Sequence, residues 1–280
     1  MSYSATPDRY AVMGNPIAHS KSPDIHTLFA EQTGEPVNYE AILVDLDGFA
    51  QAVEDFQQSG GCGLNITVPF KQQAWSLAQQ RSARAELAGA VNTLHYKNDQ
   101  WYGDNTDGVG LVRDLVQNHH INLHGSSILV LGAGGAARGV IAPLLEQKPE
   151  GLIIANRTAS KARELADLFS AYGPVRGMGF DEIPGQPFDC IINATAASLQ
   201  GEVPPVPATC IGSSTCAYDM MYAAQATAFL QWAQQQGAQP CIDGLGMLVE
   251  QAAESFYIWR HVRPQTGPVI ALLREKMQKT

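Results

Sequence analysis

The sequence predicts an α/β protein built from two domains. Short apolar segments alternate with stretches whose apolar residues recur at helical spacing, and this alternation runs along the whole chain. A glycine-rich turn at residues 132–137 follows the apolar run 128–131, near the middle of the chain and not at its start. With 280 residues, of which 45% are apolar and 16% charged, the chain can form two medium domains with ample core. We therefore expect the first half to carry a function different from that of the glycine turn.

Composition argues against several classes of protein. The net charge of −9 disfavours a nucleic-acid partner, because such a partner requires a basic face. No apolar run approaches the roughly 18 residues of a membrane span, and the polar residues 1–8 contain no signal-peptide core. The five cysteines are widely spaced without a Cys-x-x-Cys pair, so we expect neither zinc nor disulfides. Free thiols favour a cytoplasmic location.

A calcium loop at residues 103–114 is rejected, because Gly103 occupies the first ligand position and no glutamate closes the loop. No metal is expected.

In the first half, strands and helices are predicted in alternation. Ser22 and Pro23 are typical of the N-cap and first residue of a helix. A connecting helix is predicted over 106–116, with Val109, Val112 and Val116 on its apolar face. The other elements are strands at 10–13, 41–44, 64–68 and 90–94 and a helix through 49–56.

The second half is predicted to repeat a strand–helix unit. Gly237 is expected to end the helix that precedes it. The predicted elements are strands at 128–131, 152–155, 188–192 and 216–218 and helices at 136–145, 160–169, 229–236 and 246–259. We expect the last helix and the tail to residue 280 to pack back on the first domain.

The glycine turn predicts a Rossmann-like nucleotide-binding domain. Gly132 permits a tight turn, Gly134 allows the backbone to approach a pyrophosphate, and Ala137 lets the helix pack on the strand. The helix N-terminus then offers free N–H groups to phosphate. The residues expected to line this turn are Gly132, Ala133, Gly134, Gly135 and Ala136.

The residues after the next strand favour NADP over NAD. An acidic residue there would bind the ribose 2′-hydroxyl of NAD, but the chain has Asn156, Arg157 and Thr158, with Lys161 and Arg163 close behind. Arg157 can bind a 2′-phosphate with two parallel hydrogen bonds. The same residues also fit a helix start with Thr158 or Ser160 as its cap, and both interpretations can hold together.

Polar clusters in the first half predict a substrate site, although each has a simpler explanation. Ser20 and Ser22 at a helix entrance suit a carboxylate, but Ser22 alone fits simple capping. Lys71 follows a strand-to-helix turn and could be a solvated surface lysine. Asp107 lies in a turn rich in helix-capping residues and could be an N-cap.

Taken together, the motifs resemble the shikimate dehydrogenase family along essentially the whole chain. The matching blocks are residues 14–23, 65–71, 89–93, 103–108, 132–135, 156–158, 218–222 and 243–249, followed by Gln251. The resemblance implies NADPH-dependent, reversible reduction of 3-dehydroshikimate to shikimate in aromatic amino-acid biosynthesis. It implies a substrate-binding catalytic domain at 1–106, completed by 246–280, and an NADP-binding Rossmann-like domain at 107–245.

The resemblance also implies roles for individual residues. Lys71 is the proton donor to the ketone oxygen in reduction and the base in the reverse direction, and Asp107 orients it. Further cofactor-binding residues are Thr195, Met220 and Gly244, beside Asn156, Arg157, Thr158 and Lys161. The substrate-binding residues are Ser20, Ser22, Asn65, Thr67, Asn92, Asp107, Tyr222 and Gln251.

Two departures and three alternatives accompany the resemblance. Ala196, Ala197 and Ser198 stand where relatives have a small polar run, and Lys161 stands where they often have arginine. A quinate/shikimate dehydrogenase of broader substrate and cofactor use is the nearest alternative. A methylene-tetrahydrofolate dehydrogenase and an NADP-binding regulator without turnover are further alternatives. We expect a monomer or a homodimer.

Overall fold

The structure of the protein, a computed structural model, describes residues 7–279. Most of the polar segment 1–8 thus lies outside the described residues. The chain forms two compact units, each with its own six-stranded sheet. The first unit comprises the chain up to Asp107 together with Val249–Val269, and the second comprises Gly108–Leu248 and the chain from Ile270 on. Two α/β units confirm the predicted fold class.

The first unit is built on a mixed sheet with the strand order β2-β1-β3-β5-β6-β4. The first three strands in that order are parallel, and β5 runs antiparallel to both β3 and β6. The strands are β1 (Asp8–Gly14), β2 (Val37–Leu43), β3 (Gly61–Ile66), β4 (Gln80–Arg81), β5 (Thr93–Lys97) and β6 (Gln100–Asp104). The helices before the connection are α1 (Ser22–Thr33), α2 (Phe49–Gln58), α3 (Lys71–Leu77) and α4 (Ala83–Ala88).

The second unit is built on a fully parallel sheet with the order β12-β11-β10-β7-β8-β9. Counted from its first strand, this is the 3-2-1-4-5-6 order of a doubly wound dinucleotide-binding sheet. The strands are β7 (Ser127–Leu131), β8 (Gly151–Asn156), β9 (Val175–Gly179), β10 (Cys190–Asn193), β11 (Cys216–Asp219) and β12 (Cys241–Asp243). The remaining helices are α5 (Asp107–Arg113), α6 (Gly135–Glu146), α7 (Ala159–Phe169), α8 (Ala228–Gln235), α9 (Leu245–Arg260) and α10 (Gly267–Gln278). The chain changes from one unit to the other within α5, α9 and α10.

Buried apolar side chains confirm several sequence predictions. Phe49, Val53 and Phe56 of α2 are all buried on the sheet of the first unit. The strand 128–131 lies inside the core of the second unit, where its four residues have no exposed surface. The helix after the glycine turn begins at Gly135, one residue before its predicted start.

The connecting helix differs from its prediction. Val109 and Val112 are only half-buried and Val116 is exposed, whereas Gly108, Leu111 and Leu115 are buried. The reason is a close approach: a Cβ on Gly108 would lie 2.5 Å from the carbonyl oxygen of Gly139. The helix therefore packs through its glycine face, and it continues into a π-helical turn, Asp114–Asn118.

The predicted cap of α1 is displaced by one residue. The N-cap is Lys21, without a side-chain cap, and Ser22 is the first helical residue. The main-chain N–H of Ser22 donates to the Ser20 hydroxyl at 3.3 Å, so Ser20 supplies the local hydrogen bond. The sequence analysis also predicted no element at six positions, namely β4, β6, β9, β12, α4 and α10.

The C-terminal segments attach to different units. The Trp259 ring of α9 stacks on Tyr10 with 4.7 Å between centroids, and its Nε1 donates to the carbonyl of Leu94 at 3.0 Å. This end of α9 packs on the first unit, as predicted. Residues from Ile270 on group with the second unit, where Arg274 of α10 forms a two-pronged ion pair with Asp243. The functional domain boundaries given above stay predictions.

Between residues 7 and 279, no helix combines the length and the apolar character needed to cross a membrane. Within the same range, no group of three or more His, Cys, Asp or Glu side chains is arranged to hold a metal ion.

Candidate active site

Lys71 and Asp107 form an ion pair in the first unit. Lys71 is the first residue of α3, directly after the turn that leaves β3, and Asp107 is the first residue of α5. The Lys71 Nζ lies 2.6 Å from the Asp107 Oδ2. The two side chains retain 29% and 16% of their exposure, so the ammonium is oriented by a carboxylate yet accessible to a ligand.

The carboxylate of Asp107 is held on both oxygens. Asn92 Nδ2 donates to Asp107 Oδ1 at 2.8 Å and approaches the Thr106 hydroxyl at 2.9 Å. Gln251 Oε1 lies 3.3 Å from both Asn92 Nδ2 and the Thr106 hydroxyl. Because Oδ2 faces Lys71 and Oδ1 faces Asn92, rotation of the carboxylate would break a hydrogen bond on each side.

A second set of hydrogen bonds in the first unit is centred on Asn65, which is buried. Its Oδ1 accepts from the Tyr39 hydroxyl at 2.8 Å and contacts His26 Nε2 at 3.1 Å. Its Nδ2 donates to the main-chain carbonyl of Asn92 at 3.2 Å and to the Ser255 hydroxyl at 3.0 Å. Both the oxygen and the nitrogen of the Asn65 amide are thus hydrogen-bonded to protein groups, and one of these bonds holds the main-chain carbonyl of Asn92.

His26 is a buried neutral imidazole. Its ring stacks on Tyr39 with 4.2 Å between centroids, and its Nδ1 has no hydrogen-bond partner among residues 7–279. Burial lowers the pKa of His26 to about 3, although its hydrogen bond to Asn65 acts in the opposite direction. Since Asn65 Oδ1 is an acceptor, His26 holds its proton on Nε2. His26 therefore has a packing role in the first unit.

The predicted carboxylate-binding residues lie at the start of α1. Ser22 is buried, while Ser20 is half-buried and accepts from the Ser22 N–H. Thr67, in the turn before α3, is half-buried, and its hydroxyl has no partner among residues 7–279. Tyr222 lies in the second unit, where burial and then the Asp243 carboxylate raise the pKa of its phenol.

The glycine turn of the second unit has the form that a pyrophosphate requires. Gly132 has a φ of +107°, a left-handed backbone conformation that residues other than glycine rarely adopt. Gly134 is the N-cap of α6 and offers no side-chain acceptor to the first N–H groups of that helix. Apart from adjacent residues and the backbone of the helix itself, no atom of residues 7–279 lies within 4 Å of the position that a Cβ would take at Gly134 or Gly135. Open space and free N–H groups, flanked by Ala133 and Ala136, fit a bound phosphate.

Two exposed cations follow β8. Asn156 at the end of this strand donates its Nδ2 to the carbonyl of Thr158 at 3.0 Å, which stabilises the turn. Arg157 and Lys161 are exposed, and no acidic side chain of the described residues pairs with either. Arg163 instead binds Glu182, with Nη2 at 2.6 Å from Oε1. Arg157 and Lys161 are therefore available for a phosphate, whereas Arg163 is engaged.

The remaining predicted cofactor residues follow the neighbouring strands of the same parallel sheet. Thr195 comes after β10, Met220 after β11 and Gly244 after β12. The Met220 N–H donates to the Asn193 carbonyl at 3.0 Å, and the Gly244 N–H donates to the Met221 carbonyl at 3.1 Å. Because carboxyl ends of parallel strands share one edge, these residues lie at the same edge as the glycine turn after β7.

Sequence reasoning missed part of the buried network in the first unit. Tyr39, Thr93 and Ser255 were not singled out, yet Ser255 Oγ lies 2.7 Å from the Thr93 hydroxyl and also receives the Asn65 amide. One signal was present: Ser255 lies four residues after Gln251, which places both on one face of α9.

Family models for shikimate dehydrogenases match most of the chain. The substrate-binding domain model matches residues 12–94, the shikimate/quinate 5-dehydrogenase model 114–200, and the C-terminal domain model 244–274. The shikimate dehydrogenase (NADP(+)) of Hahella chejuensis is 57% identical over 268 residues, 96% of this chain and 99% of that protein. The corresponding protein of Alkalilimnicola ehrlichii is also 57% identical, over 95% of this chain and 98% of that protein.

Solved structures agree with these relatives. An Ael1 enzyme from Pseudomonas putida superposes with a TM-score of 0.91 at 45% identity, covering 95% of this chain and 98% of that one. A shikimate 5-dehydrogenase from Thermus thermophilus, solved with NADP(H) and shikimate, superposes with a TM-score of 0.84 at 31% identity. In that pair 96% of this chain and 99% of the other are covered.

Proposed function

Since the chain belongs to the shikimate dehydrogenase family, we propose that it catalyses the reversible, NADPH-dependent reduction of 3-dehydroshikimate to shikimate. It is an oxidoreductase acting on a CH–OH group, and its cofactor is NADP. The observation that carries the proposal is the Lys71–Asp107 pair, accessible on one side and held by a network of neutral amides and hydroxyls on the other.

Lys71 supplies the proton. When bound, NADPH provides a hydride for the carbonyl carbon, and negative charge then develops on the ketone oxygen. An ammonium hydrogen-bonded to that oxygen stabilises the charge and delivers its proton, so that an alcohol forms. In the reverse direction the neutral amine accepts the hydroxyl proton. Asp107 Oδ2 fixes the direction of Nζ.

Polar side chains bind the rest of the substrate. Asp107, Asn92 and Gln251 lie together and offer carboxylate and amide groups to ring hydroxyls. Thr67 adds a hydroxyl without a protein partner among the described residues, and Ser20 and Ser22 are assigned to the carboxylate. Asn65 acts from behind, because all its hydrogen-bonding groups are engaged. A site of this kind rejects analogues that lack a hydroxyl, since its buried polar groups would be left unpaired.

The cofactor site is assigned to the carboxyl edge of the parallel sheet. The glycine turn and the N-terminus of α6 hold the pyrophosphate, while Arg157 and Lys161 hold the 2′-phosphate. Met220 and Gly244 border the nicotinamide end, and Thr195 is a further cofactor-binding residue. Lys161 is a point charge and not a planar fork, so Arg157 carries most of the discrimination against NAD.

Location and partners belong to the same proposal. All five cysteines are free thiols, which supports a reducing cytoplasm. The net charge of −9 supports the absence of a nucleic-acid partner. A monomer or a homodimer is proposed as the working form.

The test is a spectrophotometric assay of NADP reduction with shikimate, run beside quinate and beside NAD. Rapid turnover only with shikimate and NADP is expected. Comparable turnover with quinate or NAD would replace this assignment by that of a broad-specificity quinate/shikimate dehydrogenase. Absence of turnover with every pair would contradict the proposed function.

A further inference from the structure

Asp219, the last residue of β11, is a fully buried carboxylate that lies outside the residues assigned above. Its Oδ1 accepts from Asn193 Nδ2 at 3.2 Å and from the Met221 N–H at 3.0 Å. Its Oδ2 accepts from the hydroxyls of Ser198 and Thr227, both at 2.6 Å. Four neutral donors therefore surround it, and no Lys or Arg of the described residues pairs with it.

These donors come from three separate segments of the second unit. Asn193 and Ser198 bracket the loop that carries Thr195, Met221 follows Met220, and Thr227 is the N-cap of α8. Asn193 in turn accepts from the Thr195 N–H and hydroxyl through its Oδ1. One carboxylate thus fixes both the loop that carries Thr195, a predicted cofactor-binding residue, and the loop that carries Met220, which is assigned to the nicotinamide end.

The charge of Asp219 is left uncompensated, which distinguishes it from its neighbour. Asp243 ends the adjacent strand β12, and the guanidinium of Arg274 neutralises it. Burial of a carboxylate is costly unless hydrogen bonds or a cation offset it, and Asp219 has only hydrogen bonds. A net negative charge at this position acts strongly on nearby groups, because little water is present to screen it.

The nicotinamide ring is neutral in NADPH and positively charged in NADP+. We propose that Asp219 is a positioning residue whose buried charge favours the oxidised over the reduced cofactor at the nicotinamide end of the site. The proposal rests on the proposed function, because that function places Met220 at the ring. It also explains Ser198: the hydroxyl that ends the unusual Ala196-Ala197-Ser198 run is used to solvate this carboxylate.

The variant Asp219→Asn removes the charge and can keep the hydrogen bonds. The amide oxygen can take the position of Oδ1, which faces two N–H donors. The amide nitrogen can take the position of Oδ2, because the Ser198 and Thr227 hydroxyls can rotate and accept. The matched variant Ser198→Ala keeps the charge and removes one donor. Asp189→Asn, an exposed carboxylate just before β10, controls for net charge.

The experiment measures the dissociation constants of NADP+ and NADPH by calorimetry, without substrate. We expect Asp219→Asn to raise the ratio Kd(NADP+)/Kd(NADPH) about threefold to tenfold, a size typical of one nearby charge in a partly screened site. Ser198→Ala and Asp189→Asn are expected to leave the ratio within about twofold of wild type, since neither removes the buried charge. An unchanged ratio in Asp219→Asn, or an equal rise in Ser198→Ala, would overturn the proposal.

A second variant keeps the test decisive where Asp219→Asn does not fold. Ser198→Lys places an ammonium beside the intact carboxylate from a half-buried position, and the ratio should rise as it does on charge removal. An unchanged ratio there also overturns the proposal. If the wild-type protein binds neither cofactor form, the proposed function fails; if it binds both and the ratio does not respond, only the role of Asp219 fails.

Discussion

The two predicted sites of this protein are built in opposite ways. In the first unit, the Lys71–Asp107 pair rests on a buried network in which amides and hydroxyls bind one another, as Asn65 does on both ends of its side chain. In the second unit, the glycine turn offers bare backbone and open space, and Arg157 and Lys161 project into solvent without an acidic partner among the described residues.

The difference matches what each site is proposed to bind. A small polyhydroxylated substrate is recognised by side chains that must be fixed before it arrives, because a loosely held amide could pair equally well with water. A phosphate carries its own charge, so backbone N–H groups and exposed cationic side chains suffice to attract it. We therefore expect variants in the first unit to act on turnover and stability, and variants in the second to act on cofactor affinity.

The largest effect is expected for Lys71→Ala. Removal of the proposed proton donor should lower kcat about 100-fold or more, in line with the contribution of general acids. The KM for shikimate should change much less, because the remaining network still binds the ring hydroxyls. Steady-state kinetics of shikimate oxidation at saturating NADP measures both quantities.

Lys97→Ala is the matched control for that variant. Lys97 is an exposed lysine at the end of β5 in the same unit, so its removal changes the net charge equally and should leave kcat unaltered. Near-normal turnover by Lys71→Ala would remove this lysine from the mechanism and, with it, the contrast between the two sites.

The next effect concerns His26 and the stability of the network. Its pKa is about 3 in the folded protein, below the ordinary value of about 6.5. The stabilisation is therefore fully present above about pH 6.5 and is lost as the pH falls towards 3, because the unfolded chain binds the proton first. Between pH 7 and pH 5 the free energy of unfolding should fall by about 2 kcal/mol on this account.

Urea unfolding at several pH values checks this expectation. His26→Gln keeps a donor that can reach Asn65 but cannot titrate, so the fall between pH 7 and pH 5 should shrink by that amount. His19→Gln is the control, since His19 is exposed. If wild type and His26→Gln lose stability in parallel, His26 is not buried in the neutral form described above.

The two regions also differ in how far the sequence predicts them. The glycine turn and the strand before it are local patterns, and the observed β7 and α6 lie within one or two residues of their predicted bounds. The network of the first unit depends on contacts far apart in the chain, such as that between Asn65 and Ser255, 190 residues apart. Composition and periodicity carry no information about such pairs, so only the resemblance indicated Asn65 and Gln251.

The connecting helix shows a second limit. Its valines at 109, 112 and 116 have the spacing of a buried face, yet the helix packs through Gly108 because only glycine allows the approach to the Gly139 carbonyl. Hydrophobic periodicity identifies a buried helix face only from its large apolar side chains. It therefore does not detect a face that is buried because a glycine such as Gly108 has no side chain. β12 was missed for a different reason, because its three residues are too few to show an alternation of apolar and polar side chains.

The smallest effect is expected in the second unit, for Arg157→Ala. Loss of the guanidinium should raise the KM for NADP about tenfold, the cost of one charge-assisted contact, and leave the KM for NAD unchanged because NAD has no 2′-phosphate. Arg163→Ala is the matched control: Arg163 is already bound to Glu182 in an exposed ion pair. Such pairs contribute at most about 1 kcal/mol to stability, so its removal should change neither KM by more than about twofold.

Equal effects of the two variants would mean that the cofactor phosphate is held by the general charge of this surface. In that case Arg157, which has no acidic partner among the described residues, would contribute no more to NADP binding than the ion-paired Arg163. Discrimination against NAD would then have to come from the backbone of the turn after β8.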